Sequence, residues 1–435
     1  LTSRGGGFDT AEPEGNHPSE EWQMAQPLDD AGCLAGVRVL DMSRIVAGPF
    51  AAQMLADMGA DVIKMERVAE GDDIRLVGPP WFGDTRREDR QSTYFQAVNR
   101  GKRSLTVDFT RPEGRDLVLA LVGEADVLIE NYKTGNLARY GLDYAALAAV
   151  NPRLIYCSIT GFGQTGPLAT RPGYDYLIQA MSGLMSITGH PDGMPGAGPV
   201  RVGVPVCDVL AGQNAVAGIL GALLQRQRTG RGQHIDVSLF DSQLAGLLNP
   251  AAAWLNNGVA WPRSGNDHPS AVPYGVFRAA DGYIMIATFT DREFGRLASV
   301  VGHPEWSRDP RFDTTETRLA NREILVATLN EILSAHPRAY WIERCAVADV
   351  PCGPIQSVGE ALDSDQATAR GMTVSLPRSD GRTVRVVGSP VKMSDCPPVY
   401  RGAPPRVGEH SDEVLGEVLG LSSERIAALR AAGVV

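Results

Sequence analysis

The residue whose setting most suits covalent chemistry is Asp208, which closes the valine-rich run Val-Arg-Val-Gly-Val-Pro-Val-Cys-Asp over 200–208. Val202, Val204 and Val206 alternate as a half-buried strand does, and residues 209–225 repeat apolar side chains at helical spacing. The pattern predicts a strand-to-helix corner with Asp208 at the N-cap. An aspartate there can be a plain cap that accepts from a first-turn N–H. The functional reading beside it is a nucleophile, because helix-end N–H groups favour the ionised form and a positioned carboxylate attacks activated acyl carbons. Its neighbour Cys207 reads as a packed thiol, since strand alternation turns the two side chains to opposite faces.

A second set of polar residues gathers at the ends of predicted strands. Arg67 follows a strand over 62–66, Lys102 and Arg103 open the next, and Asn131, Tyr132 and Lys133, with Arg139, follow a strand over 126–130. Cations along one rim suit a ligand with several phosphates, and the Tyr132 ring or an arginine plane suits adenine. Taken singly, each reads first as a solvated surface group, and it is their shared placement that favours a ligand. The six cysteines form no C-x-x-C pair and no His/Cys spacing for zinc. No metal is expected, therefore, and a reducing compartment, the cytoplasm, is the simpler setting. His190, His234, His303 and His336 show no partnered acid–base pattern.

Positioning these groups requires a scaffold, and from Gly36 the sequence alternates short apolar runs with helical periods. Strands are predicted over 37–41, 62–66, 104–108, 126–130, 153–159 and 234–239, with helices over 49–58, 112–123, 144–150, 209–225 and 241–248. Such alternation builds an α/β fold with a parallel sheet and helices on both faces, where ligands bind beyond the strand C-termini. The first turn, Asp-Met-Ser-Arg-Ile-Val-Ala-Gly-Pro, is not the glycine fingerprint of a dinucleotide site, and no Walker A sequence follows any strand. A boundary falls in the loop-rich span 256–273. Beyond it the sequence predicts a hairpin around Ala280-Asp281-Gly282, helices over 291–301, 315–347 and 358–363, strands over 372–376 and 383–387, and a terminal helix. Residues 1–35, rich in Gly, Pro, Glu and Asp, read as a disordered tail.

With 435 residues, the chain can bury a sizeable core, and a net charge of −10 argues against bulk nucleic-acid binding. No apolar run approaches the ~18 residues of a membrane span, so no membrane is expected.

In this order the segments Val39-Leu40-Asp41, Ala47-Gly48-Pro49, 59–67, 99–104, Glu130-Asn131-Tyr132, Gly161-Phe162-Gly163, Gly173-Tyr174-Asp175, 229–233, 351–354 and Gly408-Glu409-His410 resemble the family III CoA-transferases, the CaiB/BaiF family. The resemblance runs from about residue 34 to the C-terminus and looks most like the succinyl-CoA:dicarboxylate, glutarate-type branch. It implies that Asp208 attacks an acyl-CoA, forming an aspartyl anhydride and then an aspartyl-CoA thioester, with CoA finally passed to a free carboxylic or dicarboxylic acid. CoA contacts carry over to Arg44, Ile45, Val46, Ala47, Arg67, Val107, Asn131, Tyr132, Lys133 and Arg139, and substrate contacts to Tyr174, Asp175, Gly265 and His268. CoA is a substrate, and no permanently bound cofactor is implied. One family member, formyl-CoA transferase, has a glutamine where this chain has Val46, which leaves backbone N–H groups near Ala47 or Gly265 to hold an oxyanion. Arg201, Arg263 and His268 are the candidate partners for a substrate carboxylate.

The resemblance also implies a Rossmann-like large domain over 36–255, a small domain over 256–330, and a segment 331–435 that returns to the large domain, in an interlocked homodimer. Two alternatives stand beside this reading. An alpha-methylacyl-CoA racemase carries Gly-His-Asp where this chain reads Gly173-Tyr174-Asp175, and a phenol with a pKa near 10 is a poor base at neutral pH. A non-catalytic acyl-CoA-binding protein would need no nucleophile at all.

Overall fold

The computed structural model describes residues 32–83 and 91–435; the tail expected over 1–35 lies outside them as far as residue 31. Six parallel strands form the main sheet: β1 (Arg38–Asp41), β2 (Asp61–Glu66), β3 (Lys102–Thr106), β4 (Val127–Glu130), β5 (Ile155–Thr160) and β6 (His234–Ser238), in the order β3-β2-β1-β4-β5-β6. The order reverses between β1 and β4, and there the C-terminal ends open a crevice. Register aligns Val39 with Val62 and Val127, and Leu40 with Ile63 and Leu128. The alternation thus divides the sheet into two apolar faces.

One face, with Val39, Val62, Ile129, Cys157 and Ile159, packs against α1 (Ala47–Asp57) and a long helix over Val206–Thr229. The other, with Leu40, Ile63, Leu105 and Leu128, packs against α2 (Pro112–Gly123) and two helices over Ser411–Leu419 and Ser423–Ala431. Val434 and Val435 are buried in that second face, and Val434 O accepts from Asp108 N at 2.8 Å. Helices therefore cover both faces, as a run of near-continuous apolar parallel strands requires.

The expected strand over 200–206 does not form. Pro205 offers no N–H to a ladder, and the helix already begins at Val206. Gln179, on α3 (Asp175–Met181), stands in for a strand partner: its Oε1 accepts from Val202 N at 2.9 Å and its Nε2 donates to Val204 O at 3.4 Å. The helix that follows, α4 (Val206–Thr229), is long and apolar enough to cross a bilayer by length and composition, contrary to the expectation for the chain. Its Cys207, Ala211, Ala215, Val216, Ile219 and Ala222 nevertheless face the sheet core.

A second core runs from Val272 to Val350. The hairpin predicted around Asp281 joins Tyr274–Ala279 to Gly282–Ala287, and Cys352–Pro354 adds a third antiparallel strand. The single helix expected over 315–347 is instead three, Thr315–Ala320, Arg322–Leu333 and Arg338–Val347. Pro337 accounts for one break, because it holds the preceding residue out of helical geometry.

Candidate active site

The turn between β1 and α1 forms the floor of the crevice, and its shape follows from bonds to residues far along the chain. Asn131 clamps it from β4: Arg44 N donates to Asn131 Oδ1 at 2.8 Å, and Asn131 Nδ2 donates to Arg44 O at 2.6 Å. Asp72 Oδ1 accepts from Ile45 N at 3.1 Å. Between these two clamps Ile45 sits at φ +70°, a strained conformation for a β-branched residue that such bonds must hold. Beneath the turn lies a buried ionic group. Lys64 Nζ reaches Asp72 at 2.9 Å and Ser43 O at 3.1 Å, while Lys102 Nζ reaches Asp41, Asn99 and Pro49 O, each at 2.8 Å.

Asp208 enters the crevice from the opposite side. It lies in the first turn of α4 but does not cap it. The cap is supplied from α3, where Asp175 Oδ2 accepts from Cys207 N at 2.7 Å and Asp208 N at 3.2 Å, and Asp175 Oδ1 accepts from Gln179 at 2.6 Å. The plain-cap reading of Asp208 is thereby replaced: Asp175 satisfies the orphan donors and leaves the Asp208 carboxyl for other work. The expectation that helix-end N–H groups keep Asp208 ionised also needs correction. Burial first, and the Asp175 charge second, push its carboxyl up to about 7. A helix dipole contributes about 0.3–1 kcal/mol, too little to offset desolvation next to a like charge. Cys207 is fully buried and bonds Gln243 Oε1 at 3.4 Å; burial, then Asp175, pushes its thiol up to about 12, so it is inert.

A cavity of about 310 Å³ joins these parts. Its lining brings together Asp208 and Tyr174 with Arg44, Ile45, Val46 and Ala47, and with Asn131, Tyr132 and Lys133. The Arg44 guanidinium lies 4.9 Å over the Tyr132 ring. Other expected contacts lie outside it. Arg67 is paired with Asp73, which in turn holds Arg44 at 2.9 Å, so one acid links the cavity to the cation beyond it. Val107 is buried in the core of the second sheet face, and Arg139 is exposed on the short helix over Leu137–Tyr140. Asp175 is 7% exposed and acts through the backbone of α4.

Gly265 N donates to Gly189 O at 3.0 Å, which engages that N–H; Ala47, heading α1, lines the cavity. The candidate carboxylate partners are also engaged elsewhere. Arg201 lies 4.3 Å over the Tyr176 ring, Arg263 pairs with Asp192, and His268 stacks on Tyr274 at 4.8 Å. None of the three lines the cavity with Asp208.

Reading the sequence missed Arg171 and Thr160, both in the lining. Their signal was the glycine pair around them. A Cβ on Gly161 would meet Gly173 Cα at 2.7 Å, so two loops touch backbone to backbone there and bring their polar neighbours to one wall.

With Asp208 as the attacking group, kcat/KM is expected to fall about tenfold per pH unit below 7. Asp175→Asn, which keeps an oxygen acceptor and removes the neighbouring charge, moves that acidic limb to lower pH. A profile unchanged by this substitution would show that the limb belongs to another group.

The chain that carries this carboxylate and cationic turn has relatives of known type. The model of CoA-transferase family III matches residues 34–411. The chain is 45% identical to the succinate–glutarate CoA-transferase of Agrobacterium fabrum over 88% of this chain and 95% of that one. It is 43% identical to the acetyl-CoA:oxalate CoA-transferase of Acetobacter aceti over 87% and 94% of the two chains. The crystal structure of a CAIB/BAIF family protein from Brucella suis superposes with a TM-score of 0.80 at 44% identity, over 89% of this chain and all of that one. Agreement of this extent, with the family model matched from residue 34 to residue 411, establishes that the chain belongs to CoA-transferase family III.

Proposed function

We propose that the protein moves CoA from an acyl-CoA donor, with succinyl-CoA favoured, to a free dicarboxylic acid, through covalent intermediates on Asp208. The observation that carries this reading is the half-buried Asp208 carboxyl, titrating near neutrality, in one cavity with the Arg44 to Ala47 turn and with Asn131, Tyr132 and Lys133. The names of the two relatives above, one giving succinate and glutarate and the other acetyl-CoA and oxalate, support the substrate class.

In the first step an Asp208 oxygen attacks the thioester carbonyl; the C–S bond breaks, CoA leaves as thiolate, and a mixed anhydride remains. The thiolate then attacks the aspartyl carbonyl, expelling the donor acid and leaving an aspartyl-CoA thioester. An acceptor carboxylate attacks that carbonyl, releases the thiolate and forms a second anhydride. Thiolate attack on its acyl carbon gives the new acyl-CoA and restores Asp208. The N–H of Ala47, without an acceptor inside its own helix, is suited to the oxyanions.

The functional unit in this reading is an interlocked homodimer in the cytoplasm, with a Rossmann-like large domain and a small domain from the middle of the chain. Leu248, Trp254 and Leu255, 76%, 61% and 80% exposed, support a partner covering the helix over Asn249–Asn257. All six cysteines are free thiols, which accords with a reducing setting. The reading is tested by incubating purified protein with succinyl-CoA and glutarate and resolving the CoA esters. Glutaryl-CoA formed in step with free succinate is the expected result. Solvent deuterium entering a 2-methylacyl-CoA without any CoA exchange would replace the reading with a racemase.

A further inference from the structure

The three cations that line the Asp208 cavity are not equivalent. Arg44 is bonded to Asp73 at 2.9 Å and lies over the Tyr132 ring, so it belongs to the rim already described. Lys133 follows Tyr132 on the turn after β4, on the same side. Arg171 stands on another wall, in the loop that leaves β5 and enters α3, and its guanidinium has no hydrogen-bond or ion-pair partner among the described residues.

Its anchor is tied to the nucleophile. Arg171 N donates to Leu168 O at 2.8 Å, Gly173 two residues on touches the Gly161 backbone, and Asp175 holds the Asp208 N–H at 3.2 Å. The lining also contains apolar side chains, Ile45, Val46, Pro172 and Leu239. A carboxylate at one place, an unpaired guanidinium at another and an apolar wall together match a chain of methylenes with an acid at each end. Methylenes suit the apolar wall, and at its exposed rim, where Arg171 and Pro172 face solvent, a second carboxylate finds a cation to receive it. Arginine receives it with two parallel N–H···O bonds.

We infer that Arg171 selects dicarboxylic over monocarboxylic substrates by pairing with the carboxylate that is not undergoing reaction. The inference rests on the CoA-transfer reading of Asp208. The same contact serves both halves of the cycle, since succinyl-CoA as donor and glutarate as acceptor each carry one free carboxylate remote from the reacting carbonyl.

The test compares wild type with Arg171→Met and Arg171→Lys, using succinyl-CoA or butyryl-CoA as donor and glutarate or valerate as acceptor. Wild type is expected to prefer each dicarboxylic substrate. Arg171→Met should lower kcat/KM for glutarate by roughly fivefold, mainly through KM, and leave valerate within about twofold; the loss of a solvent-exposed charge pair has this size. Arg171→Lys should recover part of the loss, which excludes misfolding as its cause.

Equal losses for glutarate and valerate in Arg171→Met would overturn the inference. So would equal rises in KM for succinyl-CoA and butyryl-CoA, because they would make Arg171 a contact for CoA itself. Wild-type protein that transfers CoA to valerate as readily as to glutarate would overturn it while leaving the transferase reading intact. Wild-type protein that transfers CoA to no acid would remove that reading first.

Discussion

Asp208→Asn is expected to fold and to lose CoA transfer by about 10³-fold or more, because the amide has no oxygen nucleophile comparable to a carboxylate. The same substitution should stabilise the protein, and the sign follows from the pKa. Burial and the Asp175 charge raise the Asp208 carboxyl from the usual carboxylate range to about 7. Between about pH 4 and 7 the folded state therefore holds a proton that the unfolded state releases, and stability falls as pH rises through that window. Above pH 7 the full cost of the buried charge is present.

Partial exposure and the helix dipole discount the cost, and removing the charge should then raise the unfolding free energy by about 2 kcal/mol at pH 8. The gain shrinks towards pH 4. Denaturant unfolding at pH 8 and pH 5, run beside a turnover assay, checks both halves. Wild-type turnover, or a stability change independent of pH, would contradict the assignment. Mass spectrometry during turnover should also find acyl or CoA mass on the wild-type peptide containing Asp208 and none on that of the variant.

Lys64→Met is expected to destabilise the fold by about 3–5 kcal/mol at pH 7, the usual cost of removing one partner from a buried ionic group. Lys64 is fully buried and lies 2.9 Å from Asp72 and 3.9 Å from Asp41. Burial alone would lower its pKa, yet Asp41, Asp72 and Glu66 together raise it above the ordinary lysine value. Asp41 shows the converse: burial would raise its carboxyl, but Lys102 and Lys64 outweigh that and hold it below the usual range. The Asp41 contribution is present above the unfolded carboxylate pKa of about 4 and lost as pH falls through the folded value. The Lys64 contribution is present below about 10.4 and lost as pH rises beyond its own folded value.

The deficit of the variant is therefore widest at intermediate pH and narrows in acid, where unpaired carboxylates take up protons. Because Asp72 also holds Ile45 N, CoA binding should weaken together with stability. A Lys64→Met protein as stable as wild type at pH 7 would show that the ionic group carries no such weight.

Where side-chain period alone decides structure, the sequence was a good guide. Each main-sheet strand begins and ends within about two residues of the positions read from its apolar run, and Pro112–Gly123 and Tyr144–Val150 coincide with the predicted helices. The position of Asp208 at the start of a helix was legible too, since the helical period begins beside it. What could not be read was set by bonds between distant residues. Nothing near Val202 shows that Gln179 will occupy its N–H, and nothing near Cys207 shows that Asp175 will cap its helix.

The misplaced substrate cations have a similar cause. Arg201 lies close to Asp208 in sequence but is drawn to the Tyr176 ring, whereas Arg171, 37 positions upstream by residue number, reaches the cavity through the Gly161–Gly173 contact. Val107, an expected CoA contact, is buried in the core of the second sheet face, because its strand alternation continues past Thr106.

One sheet face is completed by a segment far along the chain, residues 411–435, whose Val434 and Val435 are buried with Leu40 and Ile63. A nascent chain leaving the ribosome therefore carries β1 to β3 with that face covered only in part, by α2, while the next three hundred or so residues are made. Contacts of such separation close slowly, and exposed apolar strands invite aggregation in the meantime. Synthesis of this protein should accordingly depend on chaperones that shield the early strands until residues 411–435 emerge.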